Sequence, residues 1–130
     1  MNEPEIRPAP EGMLTLQLPA TRHDTNAFGD IDGGWLSSQI VAAAETRAAQ
    51  IAHGRIATVS IGPIDFMSPV LIGTLLSFYT RIKETGNSSI SIQIEVWGRC
   101  SDGSGFRKIT EAETVQVALD GNGRIRPLPE

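Results

Sequence analysis

Residues 24–35, Asp24-Thr25-Asn26-Ala27-Phe28-Gly29-Asp30-Ile31-Asp32-Gly33-Gly34-Trp35, run without a break into an alanine-rich apolar segment that continues to Ala52. This junction decides the fold. Between Trp35 and Ala52 there is no Gly or Pro, and Trp35, Leu36, Ile40, Ala43, Ala44, Ala48 and Ile51 recur at helical spacing. The spacing predicts one long helix with a broad apolar face, buried along much of its length. His53-Gly54 then reads as a last-turn cation followed by a C′ glycine. On the other side, Gly29, Gly33 and Gly34 lose more backbone entropy on ordering than other residues. Such a loop makes sense where the backbone bends sharply and approaches something closely. Two glycines at a helix start also leave bare amide N–H groups, a ready site for developing negative charge.

Working outward, residues 13–18 alternate Met13, Thr15 and Gln17 against Leu14, Leu16 and Leu18, a strand ended by Pro19. Past the helix come strand-like runs at 57–67, 71–84, 88–99 and 106–119. The third alternates most cleanly, with Ile90, Ile92, Ile94 and Val96 against Ser89, Ser91, Gln93, Glu95 and Trp97. Gly86-Asn87 and Ser101-Asp102-Gly103-Ser104-Gly105 supply turns. Long consecutive strands joined by short turns give an antiparallel sheet of about five strands that curls around the helix, an α+β architecture. Residues 1–12 read as a flexible tail and 13–130 as a single domain.

The chain has 130 residues, 40% apolar and 20% charged, with a formal charge of −4. That balance argues against nucleic-acid binding, which draws on clustered Lys and Arg. It leaves room for a local basic groove. The single cysteine, Cys100, has no internal disulfide partner, and no metal-ligand cluster is spaced along the chain. The first twelve residues lack the apolar core of a signal peptide. No apolar run approaches the ~18 residues of a membrane span. These features predict a cytoplasmic protein with no membrane partner.

The order of elements and several stretches resemble the hotdog fold and, within it, the YciA-like acyl-CoA thioesterases. The stretches are 24–39 (DTNAFGDIDGGWLSSQ), 51–59 (IAHGRIATV), 66–73 (FMSPVLIG) and 88–97 (SSISIQIEVW), with weaker matches at 108–112 (KITEA) and 117–120 (VALD). The first is specific to this group; the others describe a common sheet. The resemblance implies hydrolysis of an acyl-CoA to free acid and CoA, with no cofactor beyond the CoA of the substrate itself. It implies active sites between two subunits, so a homodimer, which commonly assembles further into a trimer of dimers.

Residue by residue, the resemblance places the thioester oxygen on the backbone N–H groups of Gly33 and Gly34, with the helix dipole behind them. It gives Asn26 the task of facing the thioester and placing water; a turn-forming Asn bonded to its own backbone is the competing reading. Asp24 and Asp30 read as loop bracing or capping. The family's helix carboxylate lies six residues after the Trp of the GGW element, and here that position is Val41. Substitutes are Glu45, one turn on and on the same face, Asp32 and Asp65. Glu45 leads, since a glutamate on an alanine-rich buried helix is costly to keep without a purpose. His23 and His53 read as a loop residue and a helix-end charge. Arg55, Ser88, Ser89, Arg107 and Lys108 fall in stretches near CoA in the family, with Asn87 where a basic residue often stands. Without a base, the same loop would suit a non-hydrolytic acyl-CoA-binding hotdog protein. A hotdog dehydratase would need a His–carboxylate pair near the helix start, which is missing.

Overall fold

The computed structural model describes residues 9–67 and 69–130. Most of the expected N-terminal tail, residues 1–8, lies outside the described residues. The order is β1 (Met13–Pro19), a 3-10 turn (Arg22–Asp24), α1 (Gly33–Ala52), β2 (Ile56–Ile61), β3 (Leu75–Thr85), β4 (Ser89–Arg99) and β5 (Arg107–Ala118). The strands form one antiparallel sheet in the order β1-β3-β4-β5-β2. The α+β layout read from the sequence is the one observed.

The β4 alternation works as anticipated. Ile90, Ile92, Ile94 and Val96 are fully buried and cluster with Leu36, Ile40, Ala43, Ala44, Ala48 and Ala52 of α1. The alanines let the helix lie close to the sheet, so large sheet residues interlock with small helix residues. The helix is not buried all round, however. Ser38, Ala42, Thr46 and Gln50, at i, i+4, i+8 and i+12, form an exposed stripe. Alanine abundance had hidden this amphipathicity, because alanine tolerates both environments. On the helix side of β5, Gln116 and Thr114 are buried, and Gln116 Nε2 donates to Thr114 Oγ1 (2.9 Å) and Thr58 Oγ1 (3.3 Å), so this polar pocket of the core is satisfied.

Three local expectations change. β2 stops at Ile61 rather than 67, because Pro63 lacks the N–H a ladder needs. β3 begins at Leu75, since residues 71–74 turn, with Thr74 N–H donating to Leu71 O (3.1 Å) and Gly73 at φ +90°. At the helix end, His53 itself takes the left-handed conformation (φ 55°) and lies past the last turn, so it is the capping residue and not a last-turn cation.

β2 is an edge strand, yet Val59 and Ile61 are 59% and 54% exposed. Around the start of α1, Phe28, Phe66, Met67, Leu71 and Ile72 are also exposed, Phe28 at 88%. Apolar surface beside an unpaired strand edge is the mark of a subunit interface.

Candidate active site

The loop leading to α1 is held from within. Thr21 N–H and Oγ1–H donate to Asp24 Oδ2 at 3.0 and 2.8 Å. Asp32 N–H donates to Asp24 O (2.7 Å). Asp24 is thus the brace the sequence suggested. Asn26 Oδ1 accepts from Phe28 N–H (2.8 Å) and Asp30 N–H (3.3 Å), and Asn26 N–H donates to Asp30 O (2.7 Å). Its oxygen is therefore engaged in an Asx turn. Its Nδ2 donors find no acceptor among the described residues and remain available to a ligand. Gly29 closes this turn at φ +84°, where a side chain would be strained.

Asp32 caps the helix: Oδ2 accepts from Trp35 N–H at 3.0 Å, and the backbone oxygen accepts from Leu36 N–H at 3.0 Å. This is the capping role first offered to Asp30, and it commits the Asp32 carboxylate. Gly33 and Gly34 N–H, the first two of the helix, find no acceptor among the described residues. Gly33 lines a pocket of about 230 Å³ with Asp30, Ile31, Leu36, Phe66, Pro69 and Val70. A Cβ on Gly33 would stand 3.5 Å from the Phe66 ring, and one on Gly34 would stand 3.1 Å from Asp32 Oδ2. The pocket thus pairs bare N–H donors and the positive end of a long helix with apolar walls, an arrangement suited to an oxyanion on a lipophilic group.

The three carboxylates offered in place of Val41 separate. Asp32 is the cap. Asp65 lines a different cleft, of about 350 Å³, with Gln93, Glu111 and Glu113. Glu45 is half-buried, and no hydrogen bond or ion pair engages its carboxylate among the described residues. An Asp32→Ala variant is expected to lose about 1 kcal/mol of stability with its cap, and Asp32→Asn to retain most of it, as read by urea unfolding. Equal activity per folded molecule in the two would confine Asp32 to structure.

The five residues associated with CoA do not converge within one chain. Arg55, Ser88 and Ser89 lie at the C-terminal end of α1, where Leu119 N–H donates to Arg55 O and Ala118 N–H to Ser88 O. Arg107 and Lys108 lie at the opposite end of β5 and line the largest concavity, about 810 Å³, with Trp97 and Phe106. Lys108 Nζ donates to Glu111 Oε2 at 2.7 Å and lies 4.0 Å from Glu95 Oε1. The hydrogen bond to Glu111 holds its ammonium above the usual lysine range, against the opposing effect of burial. Arg107 donates to Pro69 O at 3.0 Å. Two basic residues missed from sequence are Arg124 and Arg126, beside Arg55. They lie in a stretch that reads as irregular tail, and only their charge signalled them.

Comparison with known proteins follows this geometry. Residues 28–99 match the thioesterase superfamily. The chain is 46% identical to the acyl-CoA thioester hydrolase YciA of Salmonella typhimurium over 123 residues, covering 92% of each chain. It is 44% identical to the same enzyme of Escherichia coli K12, covering 92% of this chain and 93% of that one. Among solved structures, the hexameric thioesterase of Yersinia pestis superposes with a TM-score of 0.89 at 43% identity, over 94% of this chain and 99% of that one. An alanine variant, at an aspartate, of a hexameric broad-specificity acyl-CoA thioesterase gives 0.89 at 37% identity, over 92% and 88%.

Proposed function

The chain belongs to the hotdog thioesterase superfamily, in its YciA-like group, and on that basis we propose that it hydrolyses acyl-CoA thioesters to the free acid and CoA. The observation that carries this is the pair of unpartnered N–H groups at Gly33 and Gly34, with Gly33 in the wall of an apolar pocket. The thioester oxygen takes those donors, and Asn26 Nδ2 orients the attacking water. Glu45 removes the water proton as oxygen bonds to the carbonyl carbon. The C–S bond then breaks, and the thiolate leaves as CoA after protonation. No cofactor is needed, because the thiolate is already a good leaving group.

Glu45 lies twelve residues beyond Gly33, about 18 Å along the helix axis at about 1.5 Å per residue. One water cannot touch both within a chain. The exposed β2 edge resolves this. Two-fold pairing of β2 with its copy runs the two strands antiparallel, so each carboxylate serves the partner's pocket. The unit is then a homodimer, and three such dimers give the hexamer seen in the relatives. A cytoplasmic location belongs to the same reading, resting on the substrate class rather than on the fold.

A thiol-release assay across acyl chain lengths tests the reaction. Steady turnover above the spontaneous rate is expected. Tight CoA binding without thiol release would replace the hydrolase with an acyl-CoA-binding protein.

A further inference from the structure

We propose that Arg124, together with Arg55, seats the phosphates at the nucleotide end of the CoA whose thioester lies in the partner subunit's Gly33–Gly34 pocket; this rests on the acyl-CoA reading above. In a chain of net charge −4, three arginines gather at the C-terminal end of α1. Arg126 is spent on the fold. Its Nη2 donates to Ala52 O (2.7 Å) and its Nε to Leu119 O (2.9 Å), tying the last helix carbonyls to the segment after β5. Arg55 and Arg124 are different. Both are exposed, and neither guanidinium has a hydrogen-bond acceptor or a carboxylate within ion-pair distance among the described residues.

The turn that presents Arg124 is rigid. Asp120 Oδ1 accepts from Asn122 N–H and Arg124 N–H at 2.9 Å each, and Asp120 N–H donates to Arg124 O at 2.7 Å. Leu119 and Ile125 form a bridge across its base. The nearest acidic side chain in the turn is thus committed to backbone donors. Gly123, at φ +79°, leaves room for Arg55: a Cβ there would stand 3.5 Å from Arg55 Nη2. The Arg55 guanidinium therefore lies against the same turn from which Arg124 projects. Two guanidiniums beside one ordered loop suit phosphate, which each engages through paired N–H donors.

This cluster is remote from Gly33 of its own chain, at the opposite end of a 20-residue helix. Two-fold pairing of β2 removes the difficulty. Arg55 precedes Ile56 at one end of β2. The partner's Ile61 end, which leads into the loop carrying Phe66 against Gly33, comes beside it. The phosphate seat of one subunit thus falls on the side of the partner's thioester pocket. Recognition of the nucleotide favours acyl-CoA over thioesters that carry only the pantetheine arm.

The test compares an acyl-CoA, its 3′-dephospho form and the matching acyl-pantetheine in wild type, Arg124→Ala and Arg124→Lys. Arg124→Ala is expected to lower the kcat/KM ratio of acyl-CoA to acyl-pantetheine about tenfold, the size of one lost charge-assisted hydrogen bond. The loss appears in KM, with kcat within about twofold, and Arg124→Lys recovers part of it. A smaller loss on the dephospho substrate identifies the 3′-phosphate as the contact; an equal loss identifies the diphosphate. An unchanged ratio in Arg124→Ala overturns the proposal while leaving the hydrolase intact. Should the wild type hydrolyse nothing, calorimetry with adenosine 3′,5′-bisphosphate still decides: Arg124-dependent binding keeps the seat, and binding indifferent to Arg124 removes it.

Discussion

Glu45→Gln is expected to lower kcat for acyl-CoA hydrolysis by about a hundredfold or more, within the ~10²–10⁴ that a positioned general base contributes. KM and the unfolding midpoint should stay close to wild type. The change is isosteric and removes only the capacity to take a proton. No ion pair or hydrogen bond is lost, since none engages this carboxylate among the described residues. A half-buried carboxylate without a partner gains nothing for the fold and costs desolvation. Its retention points to chemistry. The competing carboxylates are excluded by position, Asp32 by its bond to Trp35 N–H and Asp65 by the separate cleft it lines. Introducing Val41→Asp into the Glu45→Gln protein should restore turnover, because residues four apart share a helix face. A kcat for Glu45→Gln within threefold of wild type, measured by thiol release, would end the case for this residue as base.

The fold was legible because its signals are local. The period of β4, the breakers around α1 and the turn residues each act over a few positions, and together they leave one antiparallel arrangement. The loop braces at Asp24 and the Asn26 turn were legible for the same reason. What escaped the sequence was placement across distance. Arg55 and Arg107 belong to resembling stretches, but β5 carries them to opposite ends of the domain. The cap fell to Asp32 rather than Asp30 because helix entry turned on which residue's backbone stays extended, here φ −67° and ψ 127°. Arg126 shows the limit most clearly. Its contact with Ala52 spans 74 positions, and no local pattern announces it.

Gly33→Pro should reduce kcat by about 10²–10³, the typical cost of one oxyanion donor, with little loss of stability. Proline is well tolerated at the first helical position, where its missing N–H has no intrahelical partner in any case. It also demands an extended residue before it, and Asp32 already has that conformation. The substitution therefore removes a donor and leaves the helix. Paired with Glu45→Gln, it tests how the site is divided. If pocket and base belong to one chain, mixing the two inactive variants yields nothing, since every chain lacks one part. If the base serves the partner's pocket, each mixed dimer has one complete site: intact Gly33 from the Glu45→Gln chain and intact Glu45 from the Gly33→Pro chain. Random exchange of subunits then restores about a quarter of wild-type turnover, half of the dimers being mixed and each having one working site of two. Recovery near that level after unfolding and co-refolding, and none when the variants are refolded separately, is the expected result. A mixture as inactive as its parents would return both groups to a single chain, where some 18 Å of helix separates them.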